Sequence, residues 1–146
     1  MSVEVTIALE ATDELVEGLN RLLPQLSANA TRLSIADVRA MVRSEASALF
    51  IARDEDKVIG TLTLVIFSIP TGKRAWIEDV VVDADARGLG TGALLTKAAI
   101  EVAKKRGVRT IDLSSRPSRA AANALYRKLG FVARETNVYR FFLENE

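Results

Sequence analysis

The sequence contains no cysteine and no histidine. The first absence removes disulfides, thiolate metal sites and thiol nucleophiles. The second removes Ser-His-Asp and Cys-His catalysis, and leaves a metal only carboxylate ligands, for which no clustered spacing is present. Catalysis would have to rest on carboxylates, Tyr, Lys, Arg, Ser/Thr or backbone groups. No charge sign dominates either: 20 Lys+Arg stand against 19 Asp+Glu, so neither a nucleic-acid partner nor an anionic membrane surface is expected. No apolar run approaches the ~18 residues of a membrane span. The N-terminal "MSVEVTIALEATDELVEGL" lacks the basic start and apolar core of a signal peptide. The expectation is a soluble cytoplasmic protein.

What is present suits one domain spanning residues 1–146, with 49% hydrophobic and 27% charged residues. "VEVTIAL" (3–9) alternates like a strand. "TDELVEGLNRLL" carries Leu15, Leu19, Leu22 and Leu23 on one helical face behind Thr12 as N-cap. A polar loop is expected over 24–32. A second helix follows, with Ser34 and Asp37 approximating a capping box. "ALFIAR" and "DEDKVIGTLTLVIF" form a hairpin about the acidic turn 54–56, and "AWIEDVVV" adds a third strand after "PTGKR". After residue 90 the period becomes helical, with Leu94, Leu95, Ala98, Ala99, Val102 and Ala103 as its stripe and Gly107 as its stop. "VRTIDLSS" reads as a strand, "SRAAANALYRKLG" as a helix between Ser118 and Gly130, and "NVYRFFL" (137–143) as a closing strand. A meander followed by strand-helix-strand units predicts an α/β fold, a mixed sheet with helices on both faces.

"RGLGTGALL" (87–95) sets three glycines in five positions at the mouth of a helix. Such a terminus offers unpaired N–H donors and partial positive charge, and glycines let an anion approach closely. A tight turn explains the glycines equally well. The spacing G-x-G-x-G fits no dinucleotide fingerprint, and Ala93 after Gly92 excludes a P-loop. Along "WIEDVVV", a period of two places Trp76, Glu78, Val80 and Val82 on one face, with Ile77, Asp79 and Val81 on the other. An acidic group buried in such a strand is costly unless paired. Glu78 therefore reads either as a working general base or as an ion-pair partner of Arg74 or Lys73.

"VVVDADARGLGTGALL" resembles the acyl-CoA-binding signature of the GNAT superfamily of N-acetyltransferases, an Arg/Gln-x-x-Gly-x-Gly/Ala turn after a strand. "SRPSRAAANALYRKLGF" resembles the family's second signature, a helix ending Leu-Tyr-x-x-x-Gly-Phe. Both stand in family order and spacing, and the resemblance extends from Val3 to Leu143. It implies an acyl-CoA N-acyltransferase fold of about seven strands in a mixed sheet flanked by about four helices. It also implies acetyl-CoA as cosubstrate, no metal, and transfer of acetyl to a primary amine by direct attack in a ternary complex.

Carried over residue by residue, the resemblance places pantetheine beside Val80, Val81 and Val82, with main-chain groups of Val80 and Val82 pairing like an added strand. The pyrophosphate falls to Arg87, Gly88, Leu89, Gly90, Thr91 and Gly92. Glu78 becomes the base, acting directly or through water, and Asp79 a contact for the substrate ammonium. The Val80 N–H becomes the oxyanion donor. Tyr126 protonates the departing thiolate, and Asn123, one helical turn earlier, reaches the cofactor. The family's usual asparagine position holds Arg119, which with Arg116 is a candidate for the 3'-phosphate. A small-molecule amine is the expected partner, and exposed edge strands make a homodimer an expectation. The alternatives are another acyl-CoA donor, a protein amine as acceptor, or a non-catalytic acyl-CoA-binding module.

Overall fold

The computed structural model describes residues 2–144. These residues form two compact units that divide between Ser114 and Ser115. In the first, five strands run in the order β1 (Val3–Ile7), β2 (Ser47–Asp54), β3 (Lys57–Ile69), β4 (Gly72–Val82) and β5 (Thr110–Asp112). The first four pair antiparallel, and β4 pairs parallel with β5. The sheet is mixed, as the sequence pattern predicts.

Two helices lie between β1 and β2. In α1 (Asp13–Leu26) the Thr12 hydroxyl accepts from the Leu15 N–H at 3.2 Å. The helix continues through Pro24 into the stretch expected to be loop. A proline interrupts one backbone hydrogen bond but does not forbid the following turn, and the Ser27 N–H closes that turn on the Leu23 carbonyl at 3.0 Å. In α2 (Ile35–Arg43) the capping box is complete: Asp37 N–H donates to the Ser34 hydroxyl, and Ser34 N–H donates to the Asp37 carboxylate. Leu15, Val16, Leu19, Leu22 and Val38 from these helices bury against Leu49, Ile51, Val58 and Val81 of the sheet.

The opposite sheet face receives α3 (Thr91–Lys105). Gly60 in β3 permits the approach, because a Cβ there would stand 3.1 Å from the Thr91 methyl and 3.2 Å from Leu95. Leu95, Ala99 and Ala103 of α3 are fully buried, as are Leu62, Leu64 and Ala75 of the sheet. The helical stripe expected from the sequence is therefore the buried stripe, while Leu94 at its margin is 40% exposed.

The second unit contains α4 (Ala120–Lys128). Arg119, not Ser118, occupies its N-cap and makes no capping side-chain bond there. Residues 137–143 form no strand, and Val138, Tyr139, Phe141 and Leu143 are exposed. Alternation and aromatic content favour extended chain, but a strand exists only with a hydrogen-bonded neighbour. Among the described residues five strands are present where about seven were expected.

Candidate active site

The middle of β4 departs from the alternation its sequence suggests. Its register against β3 passes from Thr63↔Glu78 to Thr61↔Val81, so Asp79 and Val80 together stand opposite Leu62. One extra residue in a strand inverts the facing of everything beyond it. Trp76 and Glu78 consequently share their face with Val81, which packs on α1, while Val82 shares its face with Ile77. Trp76, Glu78, Val80 and Val82 therefore do not share one face, as strict alternation would have it. Asp79 makes the bulge with a left-handed backbone, φ 48°. Aspartate is among the few non-glycine residues that enter this region, at a cost of about 1–2 kcal/mol.

A bulge leaves its extra residue outside the ladder, so the peptide groups around Asp79 and Val80 are the ones released from sheet pairing. On its other side β4 pairs with β5 only over Arg74–Trp76, against Thr110–Asp112. Beyond Trp76 it has no strand partner there among the described residues. The strand thus offers an open edge of backbone donors and acceptors starting at the bulge.

Glu78 and Asp79 are both exposed, so the burial cost anticipated for Glu78 does not arise. Its anticipated ion-pair partners are engaged elsewhere. The Arg74 guanidinium donates to the hydroxyls of Thr110 (2.9 Å) and Thr71 (3.1 Å), and Lys73 Nζ donates to the Arg106 carbonyl at 2.9 Å. No ion pair engages Glu78 among the described residues.

After β4 the chain makes one short 3-10 turn, Ala84–Ala86, and reaches α3 through Arg87–Gly90. Gly88 has φ +89° and Gly90, the N-cap of α3, φ +74°. At both positions an added Cβ would meet nothing within 4 Å. Packing does not require these glycines; the left-handed backbone does, and the space above it is open. Gly90 contributes no side-chain cap. Next to it the buried Thr91 hydroxyl has no hydrogen-bond partner among the described residues. An uncapped helix start beside an orphaned buried hydroxyl suits a ligand with acceptor oxygens, as a pyrophosphate has.

In the second unit the motif "LYRKLGF" forms the stop of α4. Gly130 N–H donates to the Arg127 carbonyl at 3.0 Å and Phe131 N–H to the Tyr126 carbonyl at 2.9 Å. The Tyr126 and Phe131 rings meet edge to face at 5.7 Å. This is a Schellman closure with its accompanying apolar contact. It fixes the base of the Tyr126 side chain. Desolvation raises the Tyr126 pKa above its ordinary 10.0, against an opposing pull from Arg119, so the phenol stays protonated at neutral pH. Asn123 donates to the Arg116 carbonyl at 2.9 Å, which ties down the segment entering α4.

A model of the acetyltransferase (GNAT) family matches residues 14–131. The chain belongs to this family. The match takes in every candidate residue named above. The GNAT relatives include a protein named probable glucosamine 6-phosphate N-acetyltransferase 2 from Oryza sativa subsp. japonica, 33% identical over 92% of this chain and 85% of its own. A mycothiol acetyltransferase of Amycolatopsis mediterranei is 37% identical over 73% of this chain, which spans 38% of that protein's length. Among solved structures, one described as a transcriptional regulator from Bacillus halodurans C-125 superposes with a TM-score of 0.80 at 30% identity, covering 95% of this chain and 100% of the other. GNAT acetyltransferases take their acyl group from acetyl-CoA, and membership makes this chain an N-acetyltransferase.

Within the first unit the structure brings the open β4 edge and the glycine turn together as successive segments of one chain. Sequence reasoning did not find the bulge, the orphaned Thr91 hydroxyl, or the burial of Asp83 at the end of β4. Only the glycines signalled a special backbone.

Proposed function

We propose that this GNAT enzyme transfers the acetyl group of acetyl-CoA to the primary amine of a small molecule by direct attack within a ternary complex. The observation that carries the reading is the segment Val80–Gly92: an open strand edge leading into left-handed glycines with free space above them, beside an unpaired buried hydroxyl. Pantetheine amides suit the edge, and a pyrophosphate suits the turn.

When bound, the donor supplies an activated thioester. Glu78, exposed and free of ion pairs among the described residues, takes a proton from the substrate ammonium, directly or through a water, and the neutral amine so formed attacks the thioester carbonyl. The Val80 N–H, at the bulge, is assigned to the carbonyl oxygen as negative charge gathers on it. Asp79 holds the ammonium by charge. Tyr126 is assigned, on its motif position and its retained proton, the return of a proton to the departing thiolate. A small acceptor is favoured because one relative is named for glucosamine 6-phosphate, an amino sugar.

Thermal unfolding with and without acetyl-CoA tests the donor. At 100 times Kd, binding adds about 2.7 kcal/mol to the folded state, or about 5–10 °C in Tm for a chain of this size. A saturable rise, followed by thiol release in a screen of amines, supports the reading. A rise without turnover on any amine would favour the non-catalytic module, and a rise only with longer acyl groups a different donor.

A further inference from the structure

The carboxylate of Asp83 closes β4 and opens the turn that leads to the glycines. It is only 4% exposed, although it is charged and lies at the end of a strand. Its position is fixed from several directions. Its own N–H donates to the Ile59 carbonyl at 2.8 Å, and its Oδ1 accepts from the Asp85 N–H at 3.1 Å. The remaining contacts come from α1. Gln25 Nε2 donates to Asp83 Oδ1 at 3.5 Å, and Arg21 Nε lies 3.8 Å from Asp83 Oδ2.

Gln25 makes a second bond. Its Oε1 accepts from the Ala84 N–H at 2.9 Å, so one amide side chain grips two successive residues of the turn. Arg21 also donates to the Val58 carbonyl, which anchors the other end of the clamp to β3. Arg21 and Gln25 are four apart and therefore on one face of α1. Both are otherwise exposed, and neither helps form the apolar core.

Stability alone accounts poorly for this arrangement. A buried carboxylate is costly unless fully hydrogen-bonded, and here the bonds serve a turn of three residues with no buried side chain of its own. What the clamp fixes is where the chain leaves β4, and hence where Arg87–Gly92 begin.

We propose that Asp83 and Gln25 are positioning residues for the acyl donor, holding the β4–α3 turn against α1 so that the glycine amides stand ready in one arrangement before the donor arrives. The proposal rests on the acetyl-CoA reading above. Free glycines sample many backbone states, and a turn that must be ordered by its ligand binds more weakly than one ordered in advance.

The test compares the wild type, Gln25→Ala and Gln25→Met, which keeps the length of the side chain but can make neither bond. CoA affinity is read by calorimetry, apo Tm by thermal unfolding, and amide hydrogen exchange along 84–92 without ligand. For Gln25→Ala the Kd for CoA is expected to rise about fivefold to tenfold, the range one or two lost hydrogen bonds supply. Exchange should quicken at 84–92 alone and the apo Tm should stay within about 2 °C. Gln25→Met should lose as much affinity as Gln25→Ala, and wild-type affinity in Gln25→Met would assign Gln25 to packing and overturn the positioning role. Unchanged affinity in Gln25→Ala, or faster exchange throughout the first unit with a lowered Tm, would overturn the positioning role while leaving the acetyl-CoA reading intact. No CoA binding by the wild type would overturn both.

Discussion

Asp79 holds a conformation that glycine would adopt at less cost, in a strand where nothing in the packing demands it. Asp79→Gly is expected to keep the bulge and raise stability by up to about 1 kcal/mol. If the carboxylate holds the substrate ammonium, the same change raises KM for the amine and leaves KM for acetyl-CoA unchanged. Steady-state kinetics with each substrate varied in turn, alongside thermal unfolding, would separate the two effects. Tyr126 calls for a different comparison. Its ring forms the contact with Phe131 that closes α4, and Tyr126→Phe preserves that contact while removing the proton. Turnover is expected to fall by roughly 10²-fold with little change in CoA affinity or Tm. Because desolvation raises its pKa, any loss of wild-type activity from ionisation of Tyr126 should come at higher pH than for an exposed tyrosine. Equal loss of turnover and Tm would make the residue a cap and nothing more.

At the scale of elements, α3 begins where its ligand would be held, and its first residue bears the cost. Thr91→Val replaces an unpaired buried hydroxyl by a methyl of the same shape, which should stabilise the ligand-free protein by about 1 kcal/mol or more. CoA affinity should drop if that hydroxyl serves the pyrophosphate. Opposite signs in unfolding and calorimetry are the expected signature, and a gain in stability with no loss of affinity would assign Thr91 to packing alone.

The elements themselves were largely legible. The stripe of α3, the capping box of α2 and the hairpin about residues 54–56 each follow from periodicity or cap chemistry among residues close together in the sequence. Other features were hidden for physical reasons. A bulge at Asp79 leaves no mark on composition, and the alternation read through it reverses beyond it. Pro24 reads as a stop, yet one missing hydrogen bond did not end α1. The apolar run 137–143 has the pattern of a strand but no neighbour to make it one. The clamp on Asp83 joins residues 58 apart in sequence, beyond the reach of any local rule.

For the whole molecule, stability responds to pH through the groups whose pKa changes on folding, and Asp83 is one of them. The Asp83 carboxyl is held below its ordinary 3.8, chiefly by the Asp85 N–H, with Gln25, Lys57 and Arg21 adding to that and burial opposing it. A carboxyl lowered on folding contributes stability that is present above its unfolded value, near pH 4, and lost as pH falls through the lower folded value. The wild type should therefore exceed Asp83→Asn in Tm at pH 7, with the gap narrowing in acid below pH 4. A gap that does not change with pH would mean that shape, not charge, holds the turn. The open edge of β4 has a further consequence. Unpaired strand edges invite other strands, and neighbouring copies in a concentrated solution are a ready supply. A donor seated along that edge would occupy it first. Stored protein should scatter less light when saturated with CoA than without it, and in the cell the supply of a metabolite would then set the shelf life of the enzyme that consumes it.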